Sequence, residues 1–198
     1  MIPLTKKKIY LIGSNPFDLS DLTFQALNLI HKSDLIILSK SFSTDFFKMF
    51  KKQNIILRED LKFKSHKHFL EKIVNLFSEN NLISHLINGD PIIDYNGRKE
   101  QKFFNKYGIM CESISGVIHL TNYLNRDSSL LTNREKNSSV TFIKPFNRNR
   151  VFTILDNLYF EKLVIFLHEE SELIEIRSII KELLLEKRVE IKFINNKK

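Results

Sequence analysis

Short apolar runs alternate along the chain with stretches of helical spacing. Ile9-Tyr10-Leu11-Ile12 ends at Gly13, Leu35-Ile36-Ile37-Leu38 and Ile55-Ile56-Leu57 repeat the type, and residues 82–87 read as a fourth strand. Runs of this length with no polar alternation read as strands buried on both faces. Between them, Leu22, Ala26, Leu27 and Ile30 recur at helical spacing, with Ser20 as the expected N-cap. Residues 42–52 read as a Phe-rich helix, and Phe69, Leu70, Ile73, Val74 and Phe77 share one helical face. A helix over 98–106 and a strand at 110–114 follow, before Ser115-Gly116 breaks the pattern. The alternation then resumes: a helix at 117–125, strands at 139–144 and 163–167, an amphipathic helix at 172–187 and a strand at 189–194. Residues 125–138 and 145–150 are polar and are expected as loops. Strand–helix alternation with doubly buried strands predicts an α/β fold with mostly parallel sheets covered by helices.

Composition narrows this picture without redirecting it. The chain has 198 residues, 42% hydrophobic and 27% charged, in the range of a globular protein. One cysteine, Cys111, excludes an internal disulfide framework and a multi-cysteine metal site, and its place in a strand predicts a buried, inert thiol. No apolar run approaches the ~18 residues of a membrane span, and no signal-peptide core follows Lys8, so the cytoplasm is the expected compartment. The formal charge of +8 raises the prospect of a polyanionic partner. Yet 23 of the 31 basic residues are lysine and Ala26 is the only alanine. Lys, Asn, Ile and Phe are the residues of A/T-rich codons, so coding bias accounts for much of the charge. No nucleic-acid-binding motif accompanies it. The Phe42, Phe46, Phe47 and Phe50 cluster is expected in the core, and His31, His85 and His168 as surface or packed residues rather than ligands; His66 and His68 are not expected to bind metal.

Ligands of open α/β sheets bind beyond the carboxyl ends of the strands. The loops Gly13–Asp18, Ser39–Ser41, Asn88–Asp94, Ser115–His119 and Leu167–Glu170 all follow expected strands. Two segments carry most of the information. The first runs from Tyr10 to Thr23, with Gly13, Pro16, Asp18, Leu22 and Thr23 at notable positions. The second is Gly89-Asp90-Pro91-Ile92-Ile93-Asp94-Tyr95-Asn96-Gly97-Arg98-Lys99-Glu100. With Tyr107-Gly108-Ile109, Ser115-Gly116-Val117, Leu131-Thr132-Asn133-Arg134 and Ser138-Ser139-Val140-Thr141-Phe142, they resemble the tetrapyrrole methylases, in that family's order and over nearly the whole chain. Within it the likeness is greatest to the uroporphyrinogen-III C-methyltransferases.

The resemblance implies two α/β domains, 1–114 and a shortened 115–198, with S-adenosyl-L-methionine in the cleft between them. Pro16, Gly89, Asp90, Ile93, Ile118, His119 and Leu167 take cofactor-side positions. Arg98 and Arg134 are the candidate binders of a tetrapyrrole polycarboxylate, where a basic trough finds a use. Ser39 and Arg58 take the positions of the family's proton-handling aspartate and lysine. The sequence departs from the family pattern at Asn15 and Phe17, where it has glycine, and at Asn88 and Ser115. Serine cannot act as a base at neutral pH. The family pattern also continues past 194, so an exposed edge strand covered in a homodimer is expected. Two other readings stand beside the methyltransferase: a non-catalytic descendant that keeps a tetrapyrrole- or partner-binding fold, and a basic nucleic-acid binder.

Overall fold

A computed structural model of the chain describes residues 7–93, 95–117, 139–143, 147–157, 162–165, 167 and 170–183. The chain divides into two compact units, Met1–Asn122 and Tyr123–Lys198. The first holds β1 (Lys8–Ser14), α1 (Phe24–Lys32), β2 (Leu35–Leu38), α2 (Thr44–Met49), β3 (Ile55–Leu57), α3 (His66–Leu76), β4 (Leu82–Asn88), α4 (Gly97–Lys106) and β5 (Met110–Ile114). Its five strands form one sheet in the order β3-β2-β4-β1-β5, every pair parallel.

Strand periodicity of two explains the layering. Ile9, Leu11, Leu35, Ile37, Ile83, Ile87 and Cys111 face α3 and α4, meeting Phe69, Leu70, Ile73 and Phe104. Tyr10, Ile12, Ile36, Leu38, Leu86 and Ile114 face the other way, meeting Ala26 and Ile30 of α1 and the phenylalanines of α2 and its flanks. Phe42, Phe46 and Phe50 are therefore core, with edge-on contact between the first two. Phe46, Phe50, Phe69, Phe77 and Phe104 are fully buried, each contributing roughly 1.5–3 kcal/mol through area removed from water.

The second unit contains β6 (Val140–Ile143), α5 (Arg148–Asn157), β7 (Lys162–Ile165) and α6 (Glu170–Glu182). Its two strands pair in parallel, and Ile143, Val151, Leu155, Ile176, Ile179 and Ile180 form its core.

The expected elements recur with local differences. Thr23, not Ser20, caps α1: its Oγ1 accepts from Ala26 N. Ser20 is held in a 3-10 turn, Leu19–Asp21, that Asp18 caps, and Leu22 is extended between turn and helix. The helix expected over 42–52 is trimmed to α2, ended at Phe50. Part of the polar 145–150 stretch is helical, because Asn147 Oδ1 accepts from Arg150 N and Val151 and Leu155 then bury one face of α5. β7 is described over Lys162–Ile165, and Leu167, expected as the strand's end, is outside it. Beyond Val117, which is not helical, the expected helix at 117–125 and the strand at 189–194 lie outside the described residues.

Candidate functional site

The carboxyl ends of β4, β1 and β5 meet where glycine allows backbones to touch. Ser14 and Gly89 form a bridge with both N–H···O bonds made, at 3.1 and 2.8 Å. The Ser115-Gly116 turn crosses β1 so closely that a Cβ on Gly13 would stand 2.5 Å from Gly116 N. No side chain fits there. Gly89 itself has φ +84°, a left-handed turn that leads into the Asp90 loop.

Asp90 fastens this crossing. One carboxylate oxygen accepts from Ile92 N and Ile93 N at 2.8 and 3.1 Å; the other accepts from Gly116 N at 3.3 Å. The first pair is an Asx-type turn, for which aspartate before proline is suited. The third bond reaches across β1 to the end of β5. Ile92 and Ile93 stay exposed at the rim, and so does Phe17 on the neighbouring β1 loop. Asn15 braces that loop: its Nδ2 donates to Asp21 Oδ2 and its Oδ1 accepts from Phe17 N. Pro16 is buried, and its carbonyl accepts from Ser43 N at 2.8 Å, tying the β1 loop to the loop after β2.

That second loop carries Ser39. β2 and β3 pair in parallel with Leu38 opposite Leu57, so Ser39 and Arg58 leave the sheet side by side. The 3-10 turn Arg58–Leu61 then brings Glu59 back over Ser39. Ser39 Oγ donates to Glu59 Oε1 at 2.6 Å, Lys40 N donates to Oε2 at 3.1 Å, and Ser41 N and Oγ both donate to Ser39 Oγ. Partial burial raises the Glu59 pKa, but these hydrogen bonds and the Arg58 charge prevail and hold it below the usual carboxylate range. The Arg58 guanidinium lies 5.4 and 5.0 Å from the ring centres of Phe63 and Phe69. Arg98 is exposed and lines a shallow hollow with Ile92, Tyr95, Asn96 and Lys99. Leu167 packs on the core of the second unit. Ile118, His119 and Arg134 lie outside the described residues.

A second polar cluster was not legible in the sequence. Glu100, in the first turn of α4, is fully buried. Its Oε1 accepts from Tyr95 Oη at 2.5 Å and pairs with His66 Nε2 at 3.1 Å. His85 Nδ1 stands 3.8 Å from Oε2, beyond hydrogen-bond range, so its influence is electrostatic. Burial pushes the Glu100 carboxyl up, but His66, His85 and Tyr95 together hold it down to about 2. Burial and the Glu100 charge push the Tyr95 phenol up. The signals were present only as a histidine inside an apolar strand and a glutamate on the buried side of α4. Cys111, beside this cluster in the same core, is 8% exposed with its thiol pushed up to about 12, largely by burial.

Sequence comparison ties this geometry to known proteins. The model of the family of tetrapyrrole (corrin/porphyrin) methylases matches residues 8–194. A siroheme synthase of Nitrosospira multiformis is 25% identical over 142 residues, 70% of this chain and 30% of that protein. A uroporphyrinogen-III C-methyltransferase of Methanobacterium ivanovii is 27% identical over 112 residues, 55% of this chain and 48% of that protein. The chain thus spans less than half the length of these relatives. The fold matches that of the Thermus thermophilus uroporphyrin-III C-methyltransferase complexed with S-adenyl homocysteine, with a TM-score of 0.66 at 18% identity, covering 92% of this chain and 78% of that one. A match running from β1 to residue 194, with the Gly-Asp-Pro turn built into the glycine crossing, places the chain in the tetrapyrrole methylase family.

Proposed function

We propose that the protein is an S-adenosyl-L-methionine-dependent methyltransferase acting on a tetrapyrrole, with C-methylation of uroporphyrinogen III as the reaction. The observation that carries this reading is the Asp90-pinned crossing of Gly13, Gly89 and Gly116 at the carboxyl edge of a parallel sheet. The residues there fit the cofactor. Backbone without side chains forms a floor, and Phe17, Ile92 and Ile93 remain exposed beside it as apolar cover for an adenosine group.

When bound, the cofactor supplies an electrophilic sulfonium methyl group. Gly89, the Asp90 loop through Ile93, and Pro16 would hold it, with Ile118, His119 and Leu167 as the further cofactor residues. The chain's own work is orientation and proton handling. Arg98 and Arg134 would meet substrate carboxylates, where a guanidinium fork suits the geometry. Protein in the cytoplasm and a homodimer complete the reading.

Calorimetric titration with S-adenosyl-L-methionine, followed by uroporphyrinogen III and a mass readout for added methyl groups, tests it. Cofactor binding with methyl gain is expected. No binding at millimolar cofactor overturns the reading. Binding without transfer would instead support a non-catalytic descendant, the alternative that Ser39 in the aspartate position favours. Salt-sensitive affinity for RNA would support nucleic-acid binding.

A further inference from the structure

The methyltransferase reading leaves a chemical gap, because a proton must leave the substrate and Ser39 cannot take it. We infer that Glu59, held by Ser39, is the proton acceptor of the methyl transfer. The inference rests on the proposed function and adds the group that completes it.

The argument is positional. The site's loops form one hydrogen-bonded chain. Asp90 joins the ends of β4 and β5, Ser14 and Gly89 join β1 and β4, and Pro16 and Ser43 join the loops after β1 and β2. The last link is Ser39 to Glu59, joining the ends of β2 and β3. β2 is the immediate neighbour of β4 in the sheet. Glu59 therefore brings a carboxylate to the end of the strand next to the one that carries Gly89 and Asp90. It comes from a turn rather than a strand, but reaches the place where the strand's own side chain is only a hydroxyl.

Three features suit the role. Glu59 is exposed, so a proton it receives can pass on to water. Two donors, Ser39 Oγ and Lys40 N, fix both of its oxygens. Those same bonds favour the ionised form, the form that accepts a proton. By contrast, Glu100 is enclosed and already engaged by Tyr95 and His66.

The step balances. A π pair of the tetrapyrrole ring carbon forms the new C–C bond to the methyl group. The S–C bond of the sulfonium donor breaks and its pair stays on sulfur as a neutral thioether. The cationic ring then loses one proton from an adjoining carbon, the C–H pair restores conjugation, and the proton goes to a carboxylate oxygen of Glu59.

The test uses the full chain with S-adenosyl-L-methionine and uroporphyrinogen III. Glu59→Gln is expected to slow single-turnover methyl transfer by about 100-fold or more, the scale of general-base catalysis, with cofactor affinity within about twofold of wild type. Ser39→Asp combined with Glu59→Gln is expected to restore most of the rate by putting a carboxylate back on β2. An independent readout needs no cofactor: carbon NMR titration of the Glu59 carboxyl, whose midpoint Ser39→Ala is expected to raise. Wild-type transfer with an undiminished Glu59→Gln rate overturns the role of Glu59 and leaves the methyltransferase reading standing. Cofactor binding by wild type without any transfer overturns both. An unmoved midpoint in Ser39→Ala overturns the part given to Ser39.

Discussion

Two glutamates in the first unit show how one side chain serves opposite ends. Glu59 sits on a 3-10 turn at the rim, takes its hydrogen bonds from Ser39 and a backbone amide, and faces water. Glu100 sits inside the α3–α4 face, takes its bonds from Tyr95 and His66, and sees no water. Both carboxyls are held in the ionised form. For Glu59 the cost of ionisation is small, because solvent screens it. For Glu100 the charge survives only because its partners surround it, so those partners become part of the fold's stability. Exposure decides which carboxylate is free for chemistry and which is structural.

The largest effect is expected from breaking the buried side of this comparison. Glu100→Ala removes the hub of His66, His85 and Tyr95 and is expected to cost about 3–5 kcal/mol in denaturant unfolding, the scale for orphaning a buried charged cluster. A Glu100→Ala protein as stable as wild type would show that the cluster is not structural.

Acid titration comes next. The Glu100 carboxyl is lowered in the folded protein from 4.5 to about 2, so the unfolded chain binds the extra proton first. Its stabilisation is complete above about 4.5 and is lost as pH falls towards about 2, amounting to roughly 3 kcal/mol by the linkage relation. Glu100→Gln should flatten that part of the pH–stability curve, whereas Glu59→Gln should leave it nearly unchanged.

Asp90→Ala is intermediate. It strips acceptors from Ile92 N, Ile93 N and Gly116 N, and about 2 kcal/mol of stability and tight cofactor binding should go together. Smallest is Glu59→Gln, whose effect on unfolding should stay within about 0.5 kcal/mol, as for other exposed positions. A large stability loss there would erase the contrast with Glu100.

The sheet was legible because continuous runs such as Leu35–Leu38 leave a strand no exposed face. The Gly-Asp-Pro turn was legible because the φ of Gly89 and the Asp90 bonds to Ile92 N and Ile93 N are local, whereas its ties to Ser14 and Gly116 were not. What stayed hidden depends on pairing between distant segments. Ser39 and Glu59 meet because Leu38 and Leu57 share a register, and spacing along the chain does not carry that. His85 reads, beside Ser84, as a polar interruption of an otherwise apolar strand until Glu100, fifteen positions later, is folded against it. Likewise the helix at Arg148–Asn157 hides behind a polar start, since Asn147 caps it while its two anchors come later.

Tyr95 gives the two regions a shared clock. It belongs to the same connection as Asp90, yet its hydroxyl ends on Glu100 in the core. Swinging that connection away from the sheet would pull a phenol off a buried charge. Local opening therefore carries a penalty close to that of disturbing the core itself. Amide protons of Ile92 and Ile93, although near the surface, should exchange with solvent slowly and in step with those of α4. In Tyr95→Phe they should exchange independently and faster.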